Sequence, residues 1–273
     1  MEPGDQGIWV TCTRGMEGKC TEELLSLFEK YTERFYSLGA NENGEKDQDG
    51  EENDVDIDIE ASIQKEIVSL KKSRTSPSKI FQPIQFDLPC VLFFKVNPQI
   101  DPVDFVDRIC KSIENNDDEE MKSRYANRLT PVSLLSKATE KGLDELCGQL
   151  LSRYFKVNNR MSDGLDQVEI KNKEEKEEKG KNIDDSSTYA IRPTIRNHST
   201  LKRDHLIKQI ASTISDSHKV NLTNPDKVII VEVYRNICSM SVVDGRDWER
   251  LKRYNIAELY LTQMQRSVEL AAE

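Results

Sequence analysis

Two basic stretches of the chain contain the residue types that bind a nucleic-acid backbone. The first runs from Lys122 to Pro131, where Arg124 and Arg128 flank Tyr125. Guanidinium groups pair with phosphates, and an aromatic ring beside them can stack on a base or a ribose. The same residues also fit a strand with exposed arginines. The sequence therefore leaves an RNA contact and an ordinary strand equally open.

The second basic stretch begins in a predicted strand, Tyr189–Arg196, along which apolar and polar residues alternate. Because successive strand side chains point to opposite faces, Arg192, Thr194 and Arg196 are predicted to share the exposed face. Pro193 cannot donate a hydrogen bond to a neighbouring strand. The pattern therefore predicts an edge strand or a strand with a local break, and a break would separate the two arginines.

A helix is predicted from Leu201 to Ile214, preceded by small capping residues at positions 197–200. A strand end next to a helix N-terminus offers free backbone N–H groups and positive charge together, as a phosphate requires. The alternative is a solvated cap with ordinary surface cations. The polar and basic residues gathered here are Arg196, Asn197, His198, Lys202 and Arg203.

A third candidate is the loop from Gly15 to Thr21, which opens a predicted helix. A phosphate-binding loop follows the pattern GxxxxGK[ST]. Here Thr13 stands at the first glycine and Cys20 at the hydroxyl position. The sequence therefore favours an ordinary helix N-terminus over a nucleotide site.

The cysteines give no indication of a metal or redox site. They are scattered without any CxxC pair and mostly lie inside apolar patterns, which is typical of reduced core thiols. The six are Cys12, Cys20, Cys90, Cys110, Cys147 and Cys238. No catalytic residue, metal or cofactor is predicted.

The elements that must position these side chains alternate between strands and helices. The run 228–233 is almost wholly β-branched, which is typical of a strand covered on both faces. It is predicted to form a hairpin with the run 238–243. The stiff corner Asn224-Pro225-Asp226 precedes it, and Asn224 and Asp226 are predicted to cap this corner. Further strands are predicted at 8–12 and 91–96, and further helices at 20–36, after Asp101 and around 143–154.

Composition and charge limit the class of protein. The 273 residues are 36% hydrophobic, enough for one large or two modest domains. The net charge of −10 comes mainly from residues 41–60, which hold ten acids and one lysine. The stretches 37–60 and 158–187 are predicted to be charged, disordered insertions. No apolar run approaches the roughly 20 residues of a membrane helix, and no signal-peptide pattern is present, so we expect a soluble intracellular protein.

Several motifs in a fixed order resemble a known family. They are R-x-x-x-R-N from Arg192 to Asn197, V-x-L-x-N-P-D from Val220 to Asp226, the two following strands, R-Y-x-x-R-L-T-P from Arg124 to Pro131, and R-Y-N at 253–255. Together they resemble the eukaryotic THUMP-domain-containing adaptor family required for tRNA cytidine acetylation. The resemblance covers about residues 6–260 apart from the two charged insertions.

The resemblance implies an α/β fold of the α+β type. It implies a ferredoxin-like domain over residues 1–135, with an acidic disordered insertion at about 38–78, packed against a THUMP domain over 136–246 that carries a charged loop at about 158–187. Residues 247–273 would form a helical tail. These boundaries are expectations.

The resemblance also implies a non-catalytic role. Such adaptors bind serine and leucine tRNAs and present a D-arm cytidine to a separate RNA cytidine acetyltransferase, which makes N(4)-acetylcytidine. The implied setting is nuclear or nucleolar, away from membranes. Carried over to this sequence, the RNA-binding candidates are Arg124, Tyr125, Arg128, Arg192, Arg196, Asn197, His198 and Lys202.

Two other function classes stay open from the residues alone. One is an RNA-modification enzyme subunit that uses the loop from Gly15 to Thr21 on a nucleotide. The other is an RNA-independent scaffold whose acidic segment, residues 41–60, mimics nucleic acid toward a basic partner.

Overall fold

Residues 1–36, 80–86, 88–116, 122–158 and 187–272 are described by the computed structural model, and these ranges form two four-stranded sheets and six helices. The strands are β1 (Gly7–Cys12), β2 (Phe81–Ile84), β3 (Val91–Val96), β4 (Ala126–Val132), β5 (Leu134–Lys137), β6 (Tyr189–Arg196), β7 (Lys227–Tyr234) and β8 (Ile237–Asp244). The helices are α1 (Glu17–Tyr36), α2 (Pro102–Asn115), α3 (Glu140–Leu150), α4 (Arg203–Thr213), α5 (Gly245–Arg250) and α6 (Ile256–Ala272). The predicted mixed α/β class is confirmed.

The first sheet has the strand order β2-β3-β1-β4 and is antiparallel throughout. With α1 and α2 it follows the chain order β-α-β-β-α-β, which is the ferredoxin-like arrangement. Alternate residues of β1, such as Ile8 and Val10, are fully buried beneath the helices, together with Phe28 of α1 and Phe105 of α2. The predicted ferredoxin-like unit is therefore present at the N-terminal side.

The second sheet has the order β5-β8-β7-β6, in which only the β6–β7 pair is parallel. Its outer face packs on α3 and α4 through residues such as Ile229 and Val231 of β7. Its inner face contacts the first unit, where Val228 and Ile230 join that unit's core. Every residue of β7 after Lys227 is buried, so the predicted strand covered on both faces is confirmed.

The two sheets meet at the edge strand β4. The Trp9 indole Nε1–H donates to Ser239 Oγ at 3.1 Å, and Ser241 Oγ donates to the Pro131 carbonyl at 2.8 Å. Ser239 Oγ in turn donates to the Glu232 carbonyl at 3.0 Å. Because these buried hydroxyls have partners, the contact between the sheets carries little desolvation cost.

The C-terminal helices pack onto the first unit. Five buried residues anchor them in the core of the first sheet, namely Trp248, Leu251, Tyr254, Ile256 and Leu259. The predicted boundary at residue 135 falls within β5, which pairs with β8 of the second sheet. The predicted division into 1–135, 136–246 and 247–273 stays a prediction, and the two predicted insertions lie largely outside the described residues.

The predicted starts of α1, α3 and α4 each differ from the structure by two or three residues. The helix expected from Leu201 begins at Arg203, and its N-cap residue Lys202 makes no side-chain capping bond. Positions 197–200 therefore do not cap α4. The reason lies in His198, whose ring bonds the backbone of the turn before the helix.

Candidate nucleic-acid interface

The central feature of the site is Glu232, a buried carboxylate on the inner face of β7. Arg196 of β6 pairs with it through Nη1 to Oε2. Burial raises the pKa of Glu232, whereas the positive charges of Arg196 and Arg128 oppose that rise. Arg128 on β4 and Arg196 on β6 come from the two separate basic stretches of the sequence. The structure brings these two predicted residues around one carboxylate.

The alternation of β6 explains why its arginines face the first unit. Tyr189, Ile191 and Ile195 pack on the outer side with α3 and α4. The residues between them therefore point inward, and Thr194 lies opposite Glu232 in the register of β6 and β7. Because β6 is the last strand of its sheet, this part of the inner face is only half-covered.

Pro193 does not break the strand. The register with β7 is continuous from Tyr189 to Arg196, so Arg192 and Arg196 do share a face. Proline fits because β6 is an edge strand, as predicted. The Pro193 carbonyl accepts a hydrogen bond from Arg203 Nη1 at 2.7 Å, which ties the strand to the start of α4.

Arg192 is only partly engaged. Its Nη2 donates to the Leu222 carbonyl at 2.7 Å. Its buried Nε has no hydrogen-bond partner among the described residues. A guanidinium group has five N–H donors, so Arg192 keeps donor capacity for a ligand while its position is fixed by the Leu222 loop.

The His198 side chain has a structural role. Its Nε2 accepts the Leu201 backbone N–H at 2.7 Å. Its Nδ1 must then carry the proton and donate to the Arg235 carbonyl. Both ring nitrogens are thus used, and the ring organises the turn that follows β6. Asn197 in the left-handed region (φ 50°) and Lys202 are exposed beside it.

The first basic stretch is divided by the structure. Arg128 lies within β4, where its charge acts on Glu232, but Arg124 and Tyr125 precede the strand. There the Glu23 carboxylate of α1 accepts the Arg124 backbone N–H at 2.7 Å. Arg124 is exposed and Tyr125 half-buried against the first core. These two residues are therefore not part of the cluster around Glu232.

Asn221 and Asp226 both hydrogen-bond at the corner before β7, where Asn224 and Asp226 are the predicted capping residues. Asn221 Oδ1 accepts the Asn224 backbone N–H at 3.0 Å, and Asn221 Nδ2 donates to the Asn224 carbonyl. Asp226 does have its predicted structural role, because its carboxylate accepts both the backbone N–H and the hydroxyl of Thr188. These bonds hold the pKa of Asp226 below its usual range. Pro225 contacts the start of α5.

The loop from Gly15 to Thr21 is not arranged to receive a phosphate. The Glu17 carboxylate stands at the start of α1 and accepts the Cys90 backbone N–H at 2.8 Å. That hydrogen bond lowers the pKa of Glu17, which keeps a negative charge at this position. The Thr21 hydroxyl donates to the Glu17 carbonyl at 2.9 Å. A carboxylate where a phosphate would bind weighs against the nucleotide interpretation.

The buried thiols of Cys12, Cys147 and Cys238 lack the character of nucleophiles. Burial raises the pKa of Cys12 to about 11 and the pKa values of Cys147 and Cys238 to about 12. A thiol attacks as the thiolate, so these groups are inert at neutral pH. Within the described ranges, no group of three or more His, Cys, Asp or Glu side chains could hold a metal ion. None of the helices in those ranges is long and apolar enough to cross a membrane.

Sequence reasoning missed Glu232 as a site residue. The available signal was a single charged side chain inside a run of β-branched residues predicted to be covered on both faces. A buried carboxylate needs a cationic partner. The basic residues of the neighbouring predicted strand could have supplied that partner.

Comparisons with known proteins agree with this architecture. A family model described as THUMP domain matches residues 166–243. The chain is 30% identical over 95% of its length to uncharacterized protein C25H2.10c of Schizosaccharomyces pombe, covering 77% of that protein. It is 28% identical to tRNA acetyltransferase TAN1 of Saccharomyces cerevisiae, covering 86% of it, and 29% identical to human THUMP domain-containing protein 1, covering 65% of it; each match spans 95% of this chain.

A solved structure, PH1313 from Pyrococcus horikoshii, aligns with 88% of this chain and 55% of that chain, with 7% identity and a TM-score of 0.43. A TM-score this low supports no inference about the fold. The sequence relatives and the family model confirm the resemblance drawn from the motifs. The chain belongs to the family of THUMP-domain proteins that includes THUMP domain-containing protein 1 and tRNA acetyltransferase TAN1.

Proposed function

We propose that this chain is a non-catalytic, tRNA-binding adaptor. It presents serine and leucine tRNAs to a separate RNA cytidine acetyltransferase, which forms N(4)-acetylcytidine in the D arm. The observation that carries the proposal is the convergence of Arg128 and Arg196 on the half-covered inner face beside β6. Family membership supports RNA as the ligand, and the proposed compartment is the nucleus or nucleolus.

The site chemistry suits RNA-backbone binding better than catalysis. Arg128, Arg192 and Arg196 place positive charge along the junction of two sheets, and most protein contacts to nucleic acids are made to phosphate and sugar. The buried thiols of Cys12, Cys147 and Cys238 offer no nucleophile, because burial raises their pKa values. The name tRNA acetyltransferase, which one relative carries, raises the alternative that the chain itself transfers an acetyl group.

Reconstituted acetylation of a leucine tRNA separates these two roles. The reaction is run with the separate acetyltransferase alone, with this chain alone, and with both proteins, each with ATP and acetyl-CoA. We expect N(4)-acetylcytidine only when both proteins are present. Product formed by this chain alone would contradict the adaptor role, as would full activity of the acetyltransferase without it. A tRNA of neither the serine nor the leucine class tests the specificity.

Arg128→Gln tests the binding surface. Arg128 is exposed and contributes charge to the Glu232 site. Loss of one charged phosphate contact is expected to weaken tRNA binding roughly tenfold, and to reduce the slope of log K against log salt by about 0.7 to 0.9. Lys141→Ala serves as the control, because it removes one positive charge from the exposed side of α3, on the outer side of the second sheet. Equal affinity and slope for Arg128→Gln and the wild type would refute the assignment.

A further inference from the structure

The connection between α5 and α6 is a left-handed turn made of three residues that disfavour it. Lys252, Arg253 and Tyr254 have φ values of 54°, 57° and 58°. Hydrogen bonds close the turn, from the Tyr254 N–H to the Leu251 carbonyl at 2.9 Å and from the Asn255 N–H to the Lys252 carbonyl at 3.0 Å. The left-handed region is unfavourable for residues with a Cβ, and glycine or asparagine is its usual occupant. Backbone strain of this kind persists only where the surrounding structure imposes it.

Burial on both sides of the turn supplies that constraint. Leu251 and Tyr254 are 0% and 1% exposed in the core of the first unit. Core packing therefore explains why a large aromatic residue occupies position 254. Arg253 also has partners, since it pairs with Glu249 at 3.0 Å and its guanidinium carbon lies 5.2 Å from the centre of the Trp248 ring.

Lys252 is the residue that the fold does not explain. It is exposed, and its ammonium group has no hydrogen bond or ion pair within the described part of the chain. A glycine at this position would allow the same turn with less strain. Core packing thus imposes the turn, but no hydrogen bond or ion pair of the side chain within the described residues explains why a lysine occupies its first position.

The turn lies beside the candidate interface. It packs against β4, the strand that carries Arg128. Helix α5 starts where the Gly245 N–H donates to the Asp226 carbonyl at 2.9 Å, in the same corner loop whose Leu222 carbonyl binds Arg192. The hydrogen bond from Arg253 lowers the pKa of Glu249, and the charges of Arg192 and Lys252 lower it further. Arg192 and Lys252 therefore both lie close enough to Glu249 to act on its carboxylate.

We propose that the left-handed turn at residues 252–254 extends the RNA-binding surface, with Lys252 contacting an RNA phosphate on the flank of the site where Arg192 lies. This inference rests on the proposed tRNA binding. Arg253, fixed by Trp248 and Glu249, holds the turn in place. The fixed backbone of the turn sets the direction in which the lysine side chain leaves the surface.

The test compares Lys252→Gly with Lys252→Arg and with Lys30→Ala, which removes a lysine from the exposed side of α1. Glycine relieves the left-handed strain but adds freedom to the unfolded chain, so the melting temperature of Lys252→Gly is expected to rise by about 1 to 2 °C. Its tRNA affinity is expected to fall roughly fivefold, and its salt slope by about 0.7 to 0.9. Lys252→Arg and Lys30→Ala are expected to bind tRNA as the wild type does.

If the turn had only a structural role, Lys252→Gly would not combine a higher melting temperature with weaker tRNA binding. If Lys252→Gly binds tRNA with wild-type affinity and slope while Arg128→Gln is weakened, the inference fails and the proposed function stands. If the wild type does not bind tRNA at all, the proposed function fails. A fall of several degrees in the melting temperature of Lys252→Gly would show a structural role for the lysine and overturn the strain argument. Normal tRNA binding with weakened acetyltransferase binding would assign the turn to a protein contact instead.

Discussion

Arg196→Ala removes the direct partner of the buried Glu232 carboxylate, and its effect on stability should depend on pH. The side chain of Glu232 is 9% exposed and that of Arg196 is 30% exposed. Breaking a fully buried ion pair costs about 3 to 5 kcal/mol because the remaining charge is left uncompensated. Water reaches Arg196, and Arg128 still contributes positive charge, so we expect a smaller loss of about 2 kcal/mol at pH 8. For a chain of this size that corresponds to roughly 5 °C in melting temperature.

The sign of the pH dependence follows from the carboxylate. Burial already raises the folded-state pKa of Glu232, and losing Arg196 raises that pKa further. A group whose pKa is raised on folding stabilises the protein below its unfolded-state pKa, near 4.3, and that contribution is lost as the pH rises through the folded-state value. The destabilisation caused by Arg196→Ala should therefore be larger at pH 8 than at pH 5, because uptake of a proton by Glu232 becomes easier as the pH falls.

Urea unfolding at pH 5 and pH 8 measures this effect. The double variant Arg196→Ala/Glu232→Gln has a neutral amide in place of the lone carboxylate, so it should recover much of the loss at pH 8 and show little pH dependence from this site. A double variant less stable than Arg196→Ala at pH 8 would refute the reasoning. An equal loss at both pH values would do the same, because it would assign the stability of the site to packing and not to charge.

Two further predictions concern the contacts that join the elements. Trp9→Phe removes the hydrogen bond to Ser239 and leaves a smaller ring between the sheets. Urea unfolding followed by circular dichroism should therefore show a free energy of unfolding lower by about 2 kcal/mol. A decrease below about 0.5 kcal/mol would contradict a stabilising role of this contact. Gly245→Ala would place a Cβ 1.9 Å from the Pro225 carbonyl oxygen and should cost about 2 kcal/mol or more. Gly148→Ala, on the exposed side of α3, is the matched control, because no atom lies within 4 Å of the added Cβ. Its free energy of unfolding should rise by up to about 1 kcal/mol. Similar losses of stability for both glycine variants would refute the close approach at Gly245.

Much of the fold could be predicted because its signals are local. The period of two along β6 predicts the shared facing of Arg192 and Arg196, and the β-branched run predicts that β7 is covered on both faces. The predicted strand bounds at Val91–Val96 and Tyr189–Arg196 agree with the structure. The Asp101-Pro102 pair correctly marks the start of α2, where the Asp101 carboxylate caps the helix by accepting the Val103 N–H at 2.8 Å.

Which residues form the site depends on contacts between residues that are far apart in the sequence. Arg124 and Arg128 are close in sequence, yet Arg128 lies within β4 and its charge acts on Glu232, whereas the Arg124 backbone N–H donates to Glu23 of α1 before the strand begins. His198 is a residue type that can bind phosphate, but both of its ring nitrogens form hydrogen bonds to the backbone around the turn before α4. Neither outcome could be predicted from neighbouring residues, because each depends on which distant backbone group the side chain meets.

By itself, the sequence determined most strands and helices, although not β2 or β5, together with the family and the two basic stretches, because side-chain periodicity and motif order are properties of neighbouring residues. The tertiary structure alone decided that Arg196 pairs with a buried carboxylate on which the charge of Arg128 also acts, and that a left-handed turn packs against β4. The residues Lys252, Arg253 and Tyr254 have no local preference for that turn. It exists because Leu251 and Tyr254 must both reach the same core, and only the packed protein imposes that condition.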